Sequence, residues 1–242
     1  MKDLFVFTGA SGHVNATIVP LKTGQVIVVD TSGTEADGKA FAEKAKQNRI
    51  LFVFNTHEHS DHLAGNACYD VPIISSSAAR AAILQDEQKA AGDRGVPNVH
   101  FGDKLGIYAG EEILFQQMGG HCPGSAVLYF PERRLLFTGD LIFNGRVPWM
   151  GQADFQRWID NLAELESWDL ETVVPGHGPV GGKEILRAQR EWLSTFVKEV
   201  VTWHKEGKSQ EEIFQAMAEK HPVAPGWHGM LRTAIRRAIE QY

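Results

Sequence analysis

Cysteine is scarce in this chain, with two among 242 residues, Cys68 and Cys122. Two thiols make no disulfide framework, so the expectation is a fold held by its own core in a reducing, cytoplasmic setting. Long apolar runs are lacking too. Ile50–Phe54 and Ala126–Phe130 stop after five residues, far short of the ~20 a membrane span needs. The run Leu4–Phe7 is too short for the core of a signal peptide. Positive charge is in deficit, 24 Lys and Arg against 30 Asp and Glu for a net −6. Nucleic-acid binding needs a basic footprint, and Arg133-Arg134 and Arg236-Arg237 are only isolated pairs. No Gly-x-Ser-x-Gly elbow supplies a serine nucleophile. No low-complexity linker divides the chain. The expectation is therefore one domain over 1–242, with a core at about 4–182 and a helical extension at 183–242. The partner expected is a small-molecule substrate, with neither nucleic acid nor membrane; the helical tail offers a face for a homodimer.

What is present alternates between two periods. Leu4–Phe7, Asn15–Val19 and Gln25–Asp30 read as strands joined by Gly-rich turns. Thr34 is placed to cap a helix over Glu35–Gln47. Ile50–Phe54 reads as a buried strand, Leu63–Ala67 as a short helix, Val71–Ile74 as a strand and Ser77–Ala91 as an Ala-rich helix capped at Ser76 or Ser77. Short strands are predicted at Phe101–Leu105, Glu111–Met118, Ala126–Phe130 and Leu135–Thr138, with Phe130–Arg134 as a hairpin turn. A helix over Ala153–Glu166 and a strand at Glu171–Val174 follow. The remainder reads as helices at Lys183–Lys205, Ser209–Lys220 and Met230–Gln241. The order strands, helix, strands, helix predicts an α/β fold of two layered sheets flanked by helices.

The chain is organised around His57-Glu58-His59-Ser60-Asp61-His62, which follows directly on the Ile50–Phe54 strand. Neutral imidazoles and carboxylates are good ligands for zinc and similar ions. On extended backbone His57 and His59 project the same way. A turn after Ser60 brings Asp61 and His62 to a second position. Three further candidates end later strands beside glycine: His121 in Gly119–Ser125, Asp140 after Thr138-Gly139, and His177 in Pro175–Pro179. Small neighbours let backbone approach an ion closely.

This ordered set, from about Leu4 to Pro179, resembles the metallo-β-lactamase superfamily. The resemblance implies an αββα sandwich with a helical C-terminal tail and metals at one edge between the sheets. It implies that His57, His59 and His121 bind one ion, that Asp61, His62 and His177 bind a second, and that Asp140 bridges them. Two zinc ions are the implied cofactor; the same ligand types accept iron or manganese. The implied chemistry is attack by a bridging hydroxide on an ester, thioester or lactone carbonyl, with Asp61 orienting it or moving a proton. A bridging carboxylate resembles the glyoxalase II-like and lactonase-like branches more than true β-lactamases. Asn144–Pro148 departs from the Gly-x-Gly-Arg of typical glyoxalase II. The alternative implied by the same ligands is an iron persulfide dioxygenase using His57, His121 and Asp140; β-lactam hydrolysis and nuclease activity rank lower.

Several neighbours need separate readings. Cys122 adjoins a ligand, yet on extended backbone its side chain points away from that of His121, as a buried thiol. Cys68 reads as core. Glu58 is expected to support a ligand or cap a helix. His13, His100, His204, His221 and His228 match no metal motif, and His13 and His228 are the two expected nearest a pocket. Leu141–Gln152 is apolar enough to wall a pocket, with Arg146 facing either an anion or solvent.

Overall fold

The computed structural model describes residues 4–10, 14–86, 95–223 and 225–242. Two sheets form. The first holds six strands in spatial order: β1 (Phe5–Phe7), β2 (Ala16–Pro20), β3 (Val26–Val29), β4 (Ile50–Phe54), β5 (Ile73–Ser76) and β6 (Val99–Phe101). β1 to β3 pair antiparallel; β3 to β6 pair parallel, their crossovers including α1 (Glu35–Ala45) and α2 (Ser77–Gln85). The second sheet runs β11 (Thr172–His177), β10 (Leu135–Phe143), β9 (Ala126–Phe130), β8 (Glu112–Gln117) and β7 (Lys104–Tyr108).

Side-chain alternation along each strand sorts the core into layers. In β3, Ile27 and Val29 face the second sheet, where they join Phe54, Phe115, Leu128 and Phe137. Val26 and Val28 face the other way, onto Phe41, Ala42 and Ala45 of α1. In the second sheet, Val127 and Leu136 turn outward onto α3 (Phe155–Ser167) and α4 (Glu184–Lys205), where Trp158, Leu162, Leu193 and Phe196 are buried. The result is the layered αββα arrangement. α5 (Gln210–Lys220) and α6 (His228–Gln241) extend that outer core through Ile213, Met217, Leu231 and Ile235. Among the described residues no helix is long and apolar enough to cross a membrane.

Caps fix the helix starts. Thr34 Oγ1 accepts from Asp37 N at 3.1 Å and Ser76 Oγ from Ala79 N at 3.0 Å, and Ser209 with Glu212 closes a capping box on α5.

Four predicted elements differ. The strand expected at Phe101–Leu105 is two strands in different sheets, since the exposed turn at Gly102-Asp103 carries the chain from one sheet to the other. The short helix expected at Leu63–Ala67 is replaced by two 3₁₀ turns, Ser60–His62 and Asn66–Cys68. β10 continues past Thr138 to Phe143, buried throughout, and its pairing with β11 shifts register at Gly139. β11 likewise runs on through Pro175 and Gly176 to His177. Two candidate ligands thus stand on paired strands rather than on loops. The predicted end of α2, 87–91, lies outside the described residues.

Candidate metal centre

The seven candidate ligands come together at one edge between the sheets. His57 follows β4, His121 lies between β8 and β9, Asp140 sits within β10, and His177 ends β11. Their ligand atoms form two groups: His57, His59, His121 and Asp140; and Asp61, His62, Asp140 and His177, all within 4.8 Å of one another in each. Asp140 belongs to both. Its Oδ2 lies 3.6 Å from His57 Nε2, 3.6 Å from His121 Nε2 and 3.1 Å from His177 Nε2, and its Oδ1 is 3.1 Å from His62 Nε2. Asp61 Oδ2 is 3.5 Å from His177 Nε2, and its side chain is 43% exposed where that of Asp140 is 3%, leaving Asp61 as the carboxylate open to an incoming molecule.

Hydrogen bonds outside this ring decide which imidazole nitrogen faces inward. Asp30, at the end of β3, is the residue that sequence reasoning missed. Its Oδ2 accepts from His62 Nδ1 at 2.8 Å and from Thr56 Oγ1 at 2.8 Å, and its Oδ1 accepts from Thr56 N at 2.8 Å. With its proton given to Asp30, Thr56 Oγ1 can accept from His57 Nδ1 at 3.0 Å. One carboxylate therefore turns Nε2 of both His57 and His62 inward. His59 is reversed: its Nε2 meets Gln152 Oε1 at 2.7 Å, presenting Nδ1. Trp149 packs edge-on to His59, and Phe143 stacks on His177 with ring centres 4.7 Å apart.

The arrangement fits divalent ions. His57 Nε2, His62 Nε2 and Asp140 Oδ1 are buried with no hydrogen-bond partner. Such orphaned polar atoms are costly unless something binds them. His121 Nε2 faces His59 Nδ1 at 3.1 Å, two lone pairs in conflict unless a proton or a cation lies between them. The titration directions of His57, His121 and Asp140 agree, and His62 is the imidazole whose proton an ion must displace. Burial, reinforced by the neighbouring His62, holds His57 well below the ordinary imidazole range, and burial also lowers His121; both stay neutral and able to ligate. Burial disfavours charge on His62, but Asp140, Asp30 and Asp61 outweigh it and raise its pKa well above the usual value. Burial resists ionisation of Asp140, and the imidazoles of His177, His62 and His57 overcome it, keeping the carboxyl well below its usual range.

Glycines admit the ligands. A Cβ on Gly176, whose φ is not strained, would collide with Asp140 Oδ1 and with Gly139 backbone. Buried Asn15 braces this turn, its Nδ2 donating to Pro175 O and Gly178 O at 2.8 Å each. Gly176→Ala is expected to displace Asp140 at a cost of about 1–3 kcal/mol and to lower metal affinity at least tenfold. Equilibrium dialysis beside a far-ultraviolet circular dichroism spectrum checks this, and an alanine variant with wild-type affinity would contradict the packing argument.

The remaining predicted residues separate clearly. Cys122 is 1% exposed, and its Sγ lies 3.2 Å from Glu58 Oε2. Glu58 caps no helix; buried, it also accepts from Gly124 N at 3.4 Å, holding the His121 loop. Cys68 is half-buried, at the margin of the α1 core rather than inside it. His13 lies outside the described residues, and His228 packs on Phe214. His221 is half-buried and lines a large cleft beside the centre. Within Leu141–Gln152, Phe143–Val147 and Trp149 line cavities, whereas Leu141, Ile142 and Met150 are core.

An αββα sandwich with a shared carboxylate between two imidazole groups defines a class: proteins built to hold divalent metal at a sheet edge. Residues 10–177 match the model of the metallo-beta-lactamase superfamily, and the chain belongs to that superfamily. Among curated proteins it is similar to a hydroxyacylglutathione hydrolase of Erythrobacter litoralis, at 27% identity over 177 residues, covering 72% of this chain and 66% of that one. It is also similar to a linear primary-alkylsulfatase of a Pseudomonas species, at 24% identity, covering 60% of this chain and 31% of that one. The chain thus spans about two thirds of the first relative and under a third of the second. Among solved structures, the sec-alkylsulfatase Pisa1 of Pseudomonas shares the fold over the whole of this chain and 49% of its own, with a TM-score of 0.75 at 19% identity.

Proposed function

We propose that this protein is a metal-dependent hydrolase that holds two divalent ions, zinc by ligand type, and cleaves an ester, thioester or lactone carbonyl of a small molecule. The observation that carries the reading is Asp140, one buried carboxylate shared by two complete ligand groups. Bound there, the ions supply Lewis acidity and an acidified water. The protein's own part is to hold Nε2 of His57 and His62 inward through Asp30, to keep water from the buried imidazoles with Phe143 and Trp149, and to present Asp61 to the substrate as the exposed proton acceptor. The similarity to a hydroxyacylglutathione hydrolase supports a thioester or related carbonyl. The iron dioxygenase alternative needs only His57, His121 and Asp140, and leaves His62, His177 and Asp61 without a task; their convergence favours two ions.

Elemental analysis of protein purified without chelator or added metal is expected to give close to two zinc per chain, and a panel of esters, thioesters, lactones, β-lactams and alkyl sulfates is expected to show turnover first among the carbonyl compounds. One iron per chain, with oxygen uptake on persulfides, would overturn the reading.

A further inference from the structure

Beside the ligand pocket, of about 260 Å³, lies a cleft of about 850 Å³. The two share Asp61, Phe143, His177 and Trp227, so they are continuous at the reacting edge. One wall is α4, which presents Ile185, Ala188, Gln189 and Trp192 at spacings that fall on one helix face. The opposite lining includes Val147, Pro222 and Val223. Several polar groups lining the cleft already have partners. Gln189 Oε1 accepts from Phe143 N at 3.0 Å, and Lys220 pairs with Glu199. His221 packs edge-on to Trp192, where burial and the adjacent Lys220 lower its pKa and keep it neutral. Among the described residues lining the cleft, the one carboxylate is Asp61, at the metal end.

A volume in the upper part of the range for small-molecule sites, with a wall offering aromatic and aliphatic surface, selects by burial of apolar area rather than by hydrogen bonding. We propose that this cleft is the subsite for an apolar chain, alkyl or aryl, attached to the scissile group, and that the C-terminal helices thereby set substrate choice. The proposal rests on the hydrolase reading for the chemistry at the other end of the chain. Trp227 stands where the chain enters, and Ala188 is the position where a larger side chain shortens the channel.

Two measurements on the metal-loaded protein test it. With p-nitrophenyl esters from acetate to decanoate, kcat/KM is expected to rise about fourfold per methylene over the first several carbons. Ala188→Phe, on an exposed helix position, is expected to flatten that rise while leaving acetate turnover within about twofold. Independently of turnover, 8-bromooctan-1-ol is expected to quench tryptophan fluorescence saturably through Trp192 and Trp227, and Ala188→Phe to weaken this at least tenfold. Quenching without hydrolysis of any ester, thioester or lactone leaves the chain subsite standing and sinks the hydrolase reading. Hydrolysis with no chain-length dependence and no saturable quenching overturns the subsite and leaves the hydrolase. A rise or a quench unchanged by Ala188→Phe also overturns it.

Discussion

Asp140→Asn is expected to lower kcat/KM about a thousandfold and to drop bound metal from two ions per chain to one or fewer. The amide keeps the shape of the carboxylate but loses the charge, and its nitrogen cannot accept. Oδ1 faces His62, and Oδ2 faces His57, His121 and His177, so whichever way the amide is turned its nitrogen meets an imidazole of the Asp61, His62 and His177 group. Several kcal/mol of transition-state stabilisation by a metal centre corresponds to about three decades in rate. The metal-free protein is affected as well. Asp140, held low by the imidazoles, contributes stability that is present above the unfolded carboxylate pKa and lost as pH falls through its folded value. His62, held high by the carboxylates, contributes stability that is full below the unfolded imidazole pKa and lost as pH rises through its folded value. Removing the shared partner therefore costs metal-free protein most in weak acid, between those limits, by about 3 kcal/mol as for other broken buried pairs. Thermal melts of metal-free wild type and variant at pH 5.5 and pH 9 check the sign. A variant that keeps two ions and full activity would remove the shared-carboxylate argument altogether.

The ligand set was legible because its information is local. His57, His59, Asp61 and His62 fall within six consecutive positions after an apolar strand, and His121, Asp140 and His177 each announce themselves beside glycine at a strand end. The layered α/β class was legible from the order of strands and helices along the chain, but not the faces of Val26–Val29 and Leu135–Phe137, where every residue is apolar and buried. What escaped reading was set by pairing between distant segments. Phe101–Leu105 looks like one strand by composition, and only the change of sheet at Gly102 breaks it. The strand before His177 was expected to stop at Val174 because Pro175 and Gly176 are poor strand formers; pairing of β11 with β10 overrides that preference. The cleft escaped as well. Ile185 and Trp192 read as ordinary core-facing residues of an amphipathic helix, and nothing local distinguishes an apolar face that packs from one that lines a channel. Gln152 and Trp149 were placed in a wall, but their contacts with His59 depend on how a loop folds back over 93 residues of sequence separation.

Asp30 is the sharpest case, because its signal was visible and not used. A strand as apolar as Val26–Val29 that stops on a carboxylate, at the same end of the sheet as His57, places that carboxylate beside the ligands once β3 and β4 pair in parallel. Asp30 is 1% exposed and has φ of 55°, a left-handed conformation that Asp tolerates better than most residues. Three buried donors converge on it: Thr56 N, Thr56 Oγ1 and His62 Nδ1. Asp30→Ala leaves all three unsatisfied. At roughly 1–3 kcal/mol each, reduced by whatever water enters, the expected loss of stability in metal-free protein is about 3 kcal/mol. The larger effect falls on metal. With no acceptor for its Nδ1 proton, His62 can carry the proton on Nε2 instead, and His57 loses the Thr56 orientation that presents its own Nε2. Affinity is expected to fall 10- to 100-fold, most at the position formed by Asp61, His62 and His177. Asp30→Asn should rescue little, because its amide nitrogen must face a donor on one side or the other. Cobalt substitution separates positioning from packing: a positioning role changes the visible ligand-field spectrum and the second binding constant, whereas a role in stability alone lowers the melting temperature and leaves both unchanged.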